Sequence, residues 1–331
     1  MVNKKIAFLT EMGFSGKVPR NHPNARTEFA WQIALEADHY PFQYYEQVSG
    51  YDYVVCILPK GNITVDCKGT LITGNHDHTM LSSILKSDMV ETLKSQNGNL
   101  CYMQEGPSWY FNNYDMEDQI RYFNFITECD LVFVHNEYDI GMYTGFTNKE
   151  KIHVMPTLLI EELIKDIVPS FEEKIMIGGN FSRWYGGFQS YIIASKCELP
   201  MYIPSSHSKR DGEQRMDNLK HLPYLQWNEW MQVLSTFKVG VHLMPTIAAG
   251  TFSLNCAYFG IPCIGNKFVD TQRLCHPNLS VDVDNLSDAL DKIKILSSEK
   301  DYLLNSGACK HYYNEYFSEA IYLEKMKKIF V

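Results

Sequence analysis

Residues 239–266, VGVHLMPTIAAGTFSLNCAYFGIPCIGN, leave the chain little freedom in how it can fold. Val239 to Leu243 is a short apolar run that Met244-Pro245 closes, and Thr246 to Gly250 is small and loose. Thr251 to Phe259 has the composition of a buried helix, with Phe252, Cys256 and Phe259 at three- and four-residue spacing. Gly260 ends that helix as a C-cap glycine, and Ile261-Pro262-Cys263-Ile264 is a second short strand stopped by Gly265-Asn266. Strand, loop, helix and strand in so short a span form a tight βαβ unit with parallel neighbouring strands. Gly250, Thr251 and Ser253 stand at the helix start, where unpaired backbone N–H groups and two hydroxyls make a natural anion site. Capping of a core helix accounts for the same residues, and on this stretch alone both readings stand.

The same alternation runs through the rest of the chain. In the first half, Lys5–Thr10, Tyr53–Leu58, Leu100–Gln104, Leu131–Asn136 and Lys151–Pro156 read as strands. Asn24–Asp38, Met80–Gln96, Asp115–Glu128 and Tyr138–Thr144 read as helices between them, with Gly61–Thr79 irregular. Repeated βαβ means a parallel sheet with helices on both faces. Ser170–Lys174 reads as a linker, after which the pattern restarts. Strands are expected at Ile175–Gly178, Pro200–Pro204, Leu222–Gln226 and Leu279–Val283, and helices up to Lys196, over Glu229–Phe237, Asn285–Leu296 and Glu299–Tyr316, and from Tyr316 to Val331. The fold class is therefore α/β with two doubly wound, Rossmann-like domains. Residues 1–170 form an N-terminal domain, 171–315 a C-terminal domain, and 316–331 a terminal helix.

Composition sets the outer limits. The 331 residues suffice for two domains of roughly 150 each. Hydrophobic content of 45% and charged content of 21% are globular values, and no apolar run approaches the roughly 20 residues that cross a bilayer. The nine cysteines show no Cys-x-x-Cys pairing, which suits free thiols in a cytoplasmic protein. A net charge of −9 gives no overall attraction to nucleic acid. His76-Asp77-His78 offers two imidazoles on a loop but no third ligand at a useful spacing, so helix capping is the better reading and no metal is expected.

Two further places carry chemistry. Strand Leu100–Gln104 runs directly into Glu105-Gly106-Pro107-Ser108-Trp109, and ligands of an open α/β sheet meet loops at the carboxyl ends of strands. Glu105 and Trp109 are either site residues there or a solvated turn and a cover for the core. Gly178-Gly179 and Gly186-Gly187 surround Arg183, and small residues with a guanidinium suit an anion. No G-x-G-x-x-G is present.

The central stretch resembles the signature segment of GT-B glycosyltransferases of the group 1, mostly retaining, type. In those proteins a strand ends in Pro-Ser, a loop with two glutamates spaced E-x7-E enters a helix, and Gly-x-Pro follows. Here Met244-Pro245-Thr246 matches the strand end, Gly250 the loop glycine and Gly260-Ile261-Pro262 the helix end. The glutamate positions hold Ile247 and Asn255. The second glutamate usually holds the nucleotide's ribose, so the resemblance puts Asn255 there without charge. Gly178, Arg183 and Gly186-Gly187 match the family's pyrophosphate turn in part, and Tyr316-Phe317-Ser318 resembles its Phe-Ser-Trp before the last helix.

The resemblance implies two domains facing a cleft. It implies a metal-independent transfer of a sugar from a nucleotide-diphospho-sugar, UDP-sugar foremost, to a glycan or small-molecule hydroxyl, with no other cofactor. It implies Gly178, Gly179, Arg183, Gly250, Thr251 and Ser253 on the diphosphate, and Tyr202, Leu225, Gln226 and Asn255 on the nucleoside. Glu11, Asp77 and Trp109 would lie on the acceptor side, with Glu105 as the catalytic carboxylate. Loss of both signature glutamates leaves open a GT-B-like binding protein without activity. Gln104-Glu105, the run from Cys129 to His135, and Arg183-Trp184 faintly resemble phage enzymes that glucosylate hydroxymethylated DNA bases, which leaves modified DNA as an alternative acceptor.

Overall fold

The computed structural model describes residues 3–11, 14–58, 62–65, 71–75, 85, 87–181, 184–204 and 212–331. The chain divides into two units: Met1–His22, Glu28–Pro156 and Leu323–Val331 in the first, Pro23–Thr27 and Thr157–Tyr322 in the second.

Unit 1 is built on β1 (Ile6–Thr10), β2 (Gly16–Lys17), β3 (Asp38–Pro41) and β4 (Tyr53–Cys56). A separate antiparallel pair, β5 (Asn62–Val65) and β6 (Leu71–Asn75), comes before β7 (Asn99–Met103), β8 (Leu131–Val134) and β9 (Ile152–Val154). The seven-stranded sheet runs β2-β3-β1-β4-β7-β8-β9, and only the β2–β3 pairing is antiparallel. Its helices are α1 (Glu28–Ala34), α2 (Ser87–Gln96), α3 (Met116–Glu128) and α4 (Glu137–Tyr143). β1 and β4 are buried at every position, as a sheet covered on both faces requires. The chain leaves β1 to one side for β3 and returns to the other side for β4, so the topological switch point lies between β1 and β4.

Two expectations are corrected here. The helix expected over Asn24–Asp38 stops at Ala34, because Glu36 takes a φ of +51° and Asp38–Pro41 pairs with β1 as a strand. No apolar run marks that strand in the sequence; its buried positions are His39 and Pro41. The stretch expected to be irregular holds β5 and β6.

Unit 2 contains β10 (Glu172–Ile177), β11 (Met201–Pro204), β12 (Leu219–Leu222), β13 (Phe237–His242), β14 (Cys263–Asn266) and β15 (Ser280–Val281). The order is β12-β11-β10-β13-β14-β15, all parallel, with the switch point between β10 and β13. The helices are α5 (Gly187–Ala194), α6 (Trp227–Leu234), α7 (Thr251–Phe259), α8 (Asp270–Cys275), α9 (Leu286–Ile295) and α10 (Glu299–Tyr316), and α11 (Glu319–Ile329) runs into the residues assigned to unit 1. α7 buries Phe252, Leu254, Cys256, Ala257 and Phe259, as a helix apolar on all sides must. Ser306 on α10 donates to the Gly260 carbonyl at 2.6 Å and so fixes its C-terminal end. The strand expected at Leu222–Gln226 ends at Leu222 instead, and Gln226 is the N-cap of α6, with its N–H donating to the Glu229 carboxylate at 3.0 Å. The linker expected at Ser170–Lys174 is in part strand β10.

Buried histidines make the fold acid-sensitive. His39 Nδ1 donates to the Phe14 carbonyl at 2.6 Å, so its Nε2 accepts from Thr10 Oγ1 at 2.7 Å. His276 Nε2 donates to the Ser253 carbonyl at 3.0 Å, and its Nδ1 accepts from Cys263 N at 3.3 Å. Each ring has one nitrogen that must stay unprotonated. Burial lowers both from 6.5 to about 4. The folded pKa lies below the unfolded one, so this stability is present above pH 6.5 and is lost as the pH falls toward 4. The loss is on the order of 3 kcal/mol for each ring. Buried Asp139 acts in the opposite direction, raised from 3.8 to about 6 by burial, and offsets one part. Urea unfolding between pH 7.5 and 4 should show a net loss of stability that shrinks in His39→Gln; an unchanged slope in that variant would contradict the assignment.

Candidate active site

At the switch point of unit 2, β10 runs into Gly178-Gly179 and β13 into Leu243-Met244. The helix that follows each strand begins at a left-handed glycine, Gly186 (φ +61°) before α5 and Gly250 (φ +70°) before α7. Neither N-cap supplies a side-chain hydrogen bond to its helix. Elsewhere Asp115, Asn285 and Ser298 cap α3, α9 and α10 with their side chains. The glycine-capped ends leave first-turn N–H groups for a ligand, and an anion complements the positive end of the helix dipole.

The hydroxyls expected at this point behave differently from one another. Thr251 is the half-buried first residue of α7. The Ser253 hydroxyl is turned inward: Ser253 Oγ and Thr271 Oγ1 lie 2.7 Å apart and reach the Gly250 carbonyl at 3.0 and 2.8 Å. Together they hold the left-handed turn. Asn255 is also interior and 2% exposed. Its amide satisfies both ends when Nδ2 donates to the Thr251 carbonyl at 3.0 Å and Oδ1 accepts from Trp230 Nε1 at 3.1 Å. A ligand hydroxyl would have only the second lone pair of that oxygen and the second N–H of Nδ2.

Gly178 and Gly179 are required by packing. A Cβ on Gly178 would lie 2.5 Å from Phe252 and 2.7 Å from His242, and one on Gly179 would lie 2.6 Å from the Tyr185 carbonyl oxygen. Burial holds His242 neutral, lowering its pKa to about 4, and its Nε2 has no hydrogen-bond partner among the described residues. Tyr202 is not brought to this edge. Its ring packs on Phe237, the first residue of β13, with Lys174 and Lys220 ammonium groups 5.7 and 5.3 Å from its centroid. Leu225 and Gln226 lead into α6, whose Trp230 reaches Asn255. Arg183 and Asp77 lie outside the described residues.

In unit 1, Glu11 follows β1 at the switch point and Glu105 follows β7. Both bear on one phenol: burial, then Tyr122 and Tyr110, then Glu105 and Glu11 raise the Tyr114 pKa. The structure therefore brings the two carboxylates near a common neighbour. Trp109 is half-buried and stacks on Tyr110 with centroids 6.1 Å apart. Sequence reasoning missed Asp139, His242 and Thr271. Asn136-x-x-Asp139 in the first turn after β8 was a usable signal for the first; the other two depend on partners distant in sequence.

No protein-family model and no curated protein sequence matches the chain. Solved structures do. A sucrose-phosphate synthase from Thermosynechococcus elongatus superposes with a TM-score of 0.63 at 12% identity, over 99% of this chain and 98% of that one. HepE of Anabaena, solved with UDP and glucose, gives 0.63 at 11% identity over 99% of each chain. An α-glucosyltransferase solved with UDP and a 13-mer DNA containing an HMU base gives 0.64 at 10% identity over 99% of each chain. The fold is that of the GT-B glycosyltransferases. The GT-B resemblance read from the βαβ stretch thus extends to the architecture of both sheets. Among the described residues of this GT-B chain, no three His, Cys, Asp or Glu side chains gather as a metal site, and no helix is long and apolar enough to cross a membrane.

Proposed function

We propose that the chain transfers a sugar from a nucleotide-diphospho-sugar, with UDP-sugar as the donor class, to an acceptor hydroxyl, and does so without a metal. The observation that carries this reading is the pair of glycine-capped helix starts flanking one switch point, Gly186 before α5 and Gly250 before α7. A diphosphate there would meet first-turn N–H groups of both helices. Those groups stabilise the leaving group most as its charge develops. Arg183, four residues before the start of α5, would add a guanidinium. Glu105 of unit 1 would serve as general base in an inverting reaction, or would stabilise positive charge at the anomeric carbon in a retaining one. The proposed acceptor is a glycan or small molecule, and the proposed compartment is the cytoplasm. A net charge of −9 weighs against duplex DNA, whose binding relies on phosphate neutralisation.

A panel of UDP- and GDP-sugars, assayed for free nucleotide with and without EDTA, tests the reading. Nucleotide should be released from at least one UDP-sugar, to the same extent in EDTA. Tight donor binding with no release from any sugar would instead make the chain a binding protein, and loss of activity in EDTA would remove the metal-independent mechanism.

A further inference from the structure

One short segment of the N-terminal half belongs to unit 2. Pro23–Thr27 lies in sequence between β2 and α1 of unit 1, yet it packs with Thr157–Tyr322. Its contacts are at the start of α6. Trp227 N, the first N–H of that helix, donates to Asn24 Oδ1 at 3.0 Å, and Asn228 N, the second, donates to the Pro23 carbonyl at 3.3 Å. Glu229 N meets Asn228 Oδ1 at 2.9 Å, and Trp230 N closes the first turn on the Gln226 carbonyl at 2.8 Å. Unlike α5 and α7, α6 therefore starts with its donors taken up by protein. Asn24 is 6% exposed and Ala25 is fully buried. Arg26 N donates to the Asn24 carbonyl at 2.7 Å, and Thr27 takes a φ of +48° before the chain enters α1. The segment is thus a fixed strap across the start of α6.

α6 in turn braces α7. Trp230 Nε1 donates to Asn255 Oδ1 at 3.1 Å, and the Trp230 ring lies 6.3 Å from that of Phe252. Phe252 is so close to the turn after β10 that a Cβ on Gly178 would lie 2.5 Å from it. Contacts therefore run without a break from Asn24 through α6 to the first turn of α7. We propose that Asn24 is a positioning residue for the donor site: the strap fixes the start of α6 and, through Trp230, sets where α7 presents its first-turn N–H groups. This inference rests on the glycosyltransferase reading for what the site binds, but not for the strap itself. Satisfying the α6 donors needs no distant residue, since Asn285 caps α9 from its own N-cap position. A cap drawn from 203 residues away also fixes the place of the helix. Aspartate at position 24 would offer the same acceptor with a charge that a helix N-terminus favours, and alanine would offer none.

The test compares wild type, Asn24→Ala, Asn24→Asp and Asn285→Ala by calorimetry with UDP, steady-state kinetics with a UDP-sugar, and hydrogen–deuterium exchange. Asn285→Ala removes a cap of the same kind from α9. Asn24→Ala should weaken UDP binding and raise the donor KM by about fivefold or more, with kcat within about twofold of wild type. Exchange should quicken by about tenfold at the Trp227 and Asn228 amides and by a smaller factor at Phe252 and Ser253 of α7. Asn24→Asp should restore all of these, and Asn285→Ala should change none. Trp230→Phe keeps an aromatic ring and removes the donor to Asn255, so it should also weaken UDP binding; it tests the same path from the other end if Asn24→Ala does not fold. Unchanged UDP affinity in folded Asn24→Ala, or an equal loss in Asn285→Ala, would overturn the positioning role. If wild-type protein binds no UDP, the functional reading fails on its own. Quickened exchange that reaches α7 in Asn24→Ala would then still support the strap, and exchange confined to Trp227 and Asn228 would overturn it.

Discussion

Gly186→Ala should lose about 2–5 kcal/mol of stability and most donor affinity, whereas Gly50→Ala should lose only the cost of its backbone conformation. Both glycines have positive φ, +61° and +75°. They differ in what a methyl group would meet. At Gly50 nothing lies within 4 Å; at Gly186 the new Cβ would sit 1.8 Å from the Leu243 carbonyl oxygen and 2.6 Å from its carbon. That contact is backbone against backbone, so no rotamer relieves it. The surrounding bonds also hold the two segments together: Ser190 Oγ donates to the Gly186 carbonyl at 2.8 Å and accepts from Leu243 N at 2.8 Å, and Gly187 N donates to the Asn180 carbonyl at 3.1 Å. Alanine must push the end of β13 away from the start of α5, which opens the proposed diphosphate site. Equal destabilisation of the two variants in urea titrations would show that the close approach carries no energy.

Glu105→Gln should lower kcat by about 10²-fold or more, with little change in donor affinity. The substitution keeps volume and hydrogen-bonding reach and removes the charge. In the proposed reaction that charge acts on the acceptor proton or on the anomeric carbon, and in both cases mainly in the transition state. The donor's diphosphate and nucleoside are assigned to unit 2 and should not respond. Calorimetry of the donor alongside kcat separates the two effects. A variant with near-native kcat would remove Glu105 from the mechanism and leave Glu11, which also acts on Tyr114, as the next carboxylate to substitute.

Legibility in the sequence followed the range of the forces involved. Thr251–Phe259 and Gly260 were readable to the residue because both helix ends are set by glycines at φ +70° and +79°. β3 was not readable, because its strand character comes from pairing with β1 and from a histidine that burial holds neutral and that Thr10 and Phe14 orient. Asn255 is instructive in another way. The periodicity that identified the helix already placed it beside Phe252, Cys256 and Phe259 on the inner face, and the structure holds it there between Thr251 and Trp230. The resemblance pointed it at a ribose; its surroundings give it a structural task. Ser253 is similar, since its partner Thr271 lies on a helix, α8, that no sequence signal announced.

The central claim is that an anion binds at the two glycine-capped helix starts of unit 2. Hydrogen–deuterium exchange of the chain with and without saturating UDP tests it most directly, because the proposed contacts are backbone N–H groups. Slowed exchange should appear at Phe188 and Gln189 of α5 and at Thr251, Phe252 and Ser253 of α7, and not at the first turns of α3, α9 and α10, which side chains already cap. UDP that binds while leaving the α5 and α7 amides unchanged, or that protects only amides elsewhere, would contradict the account.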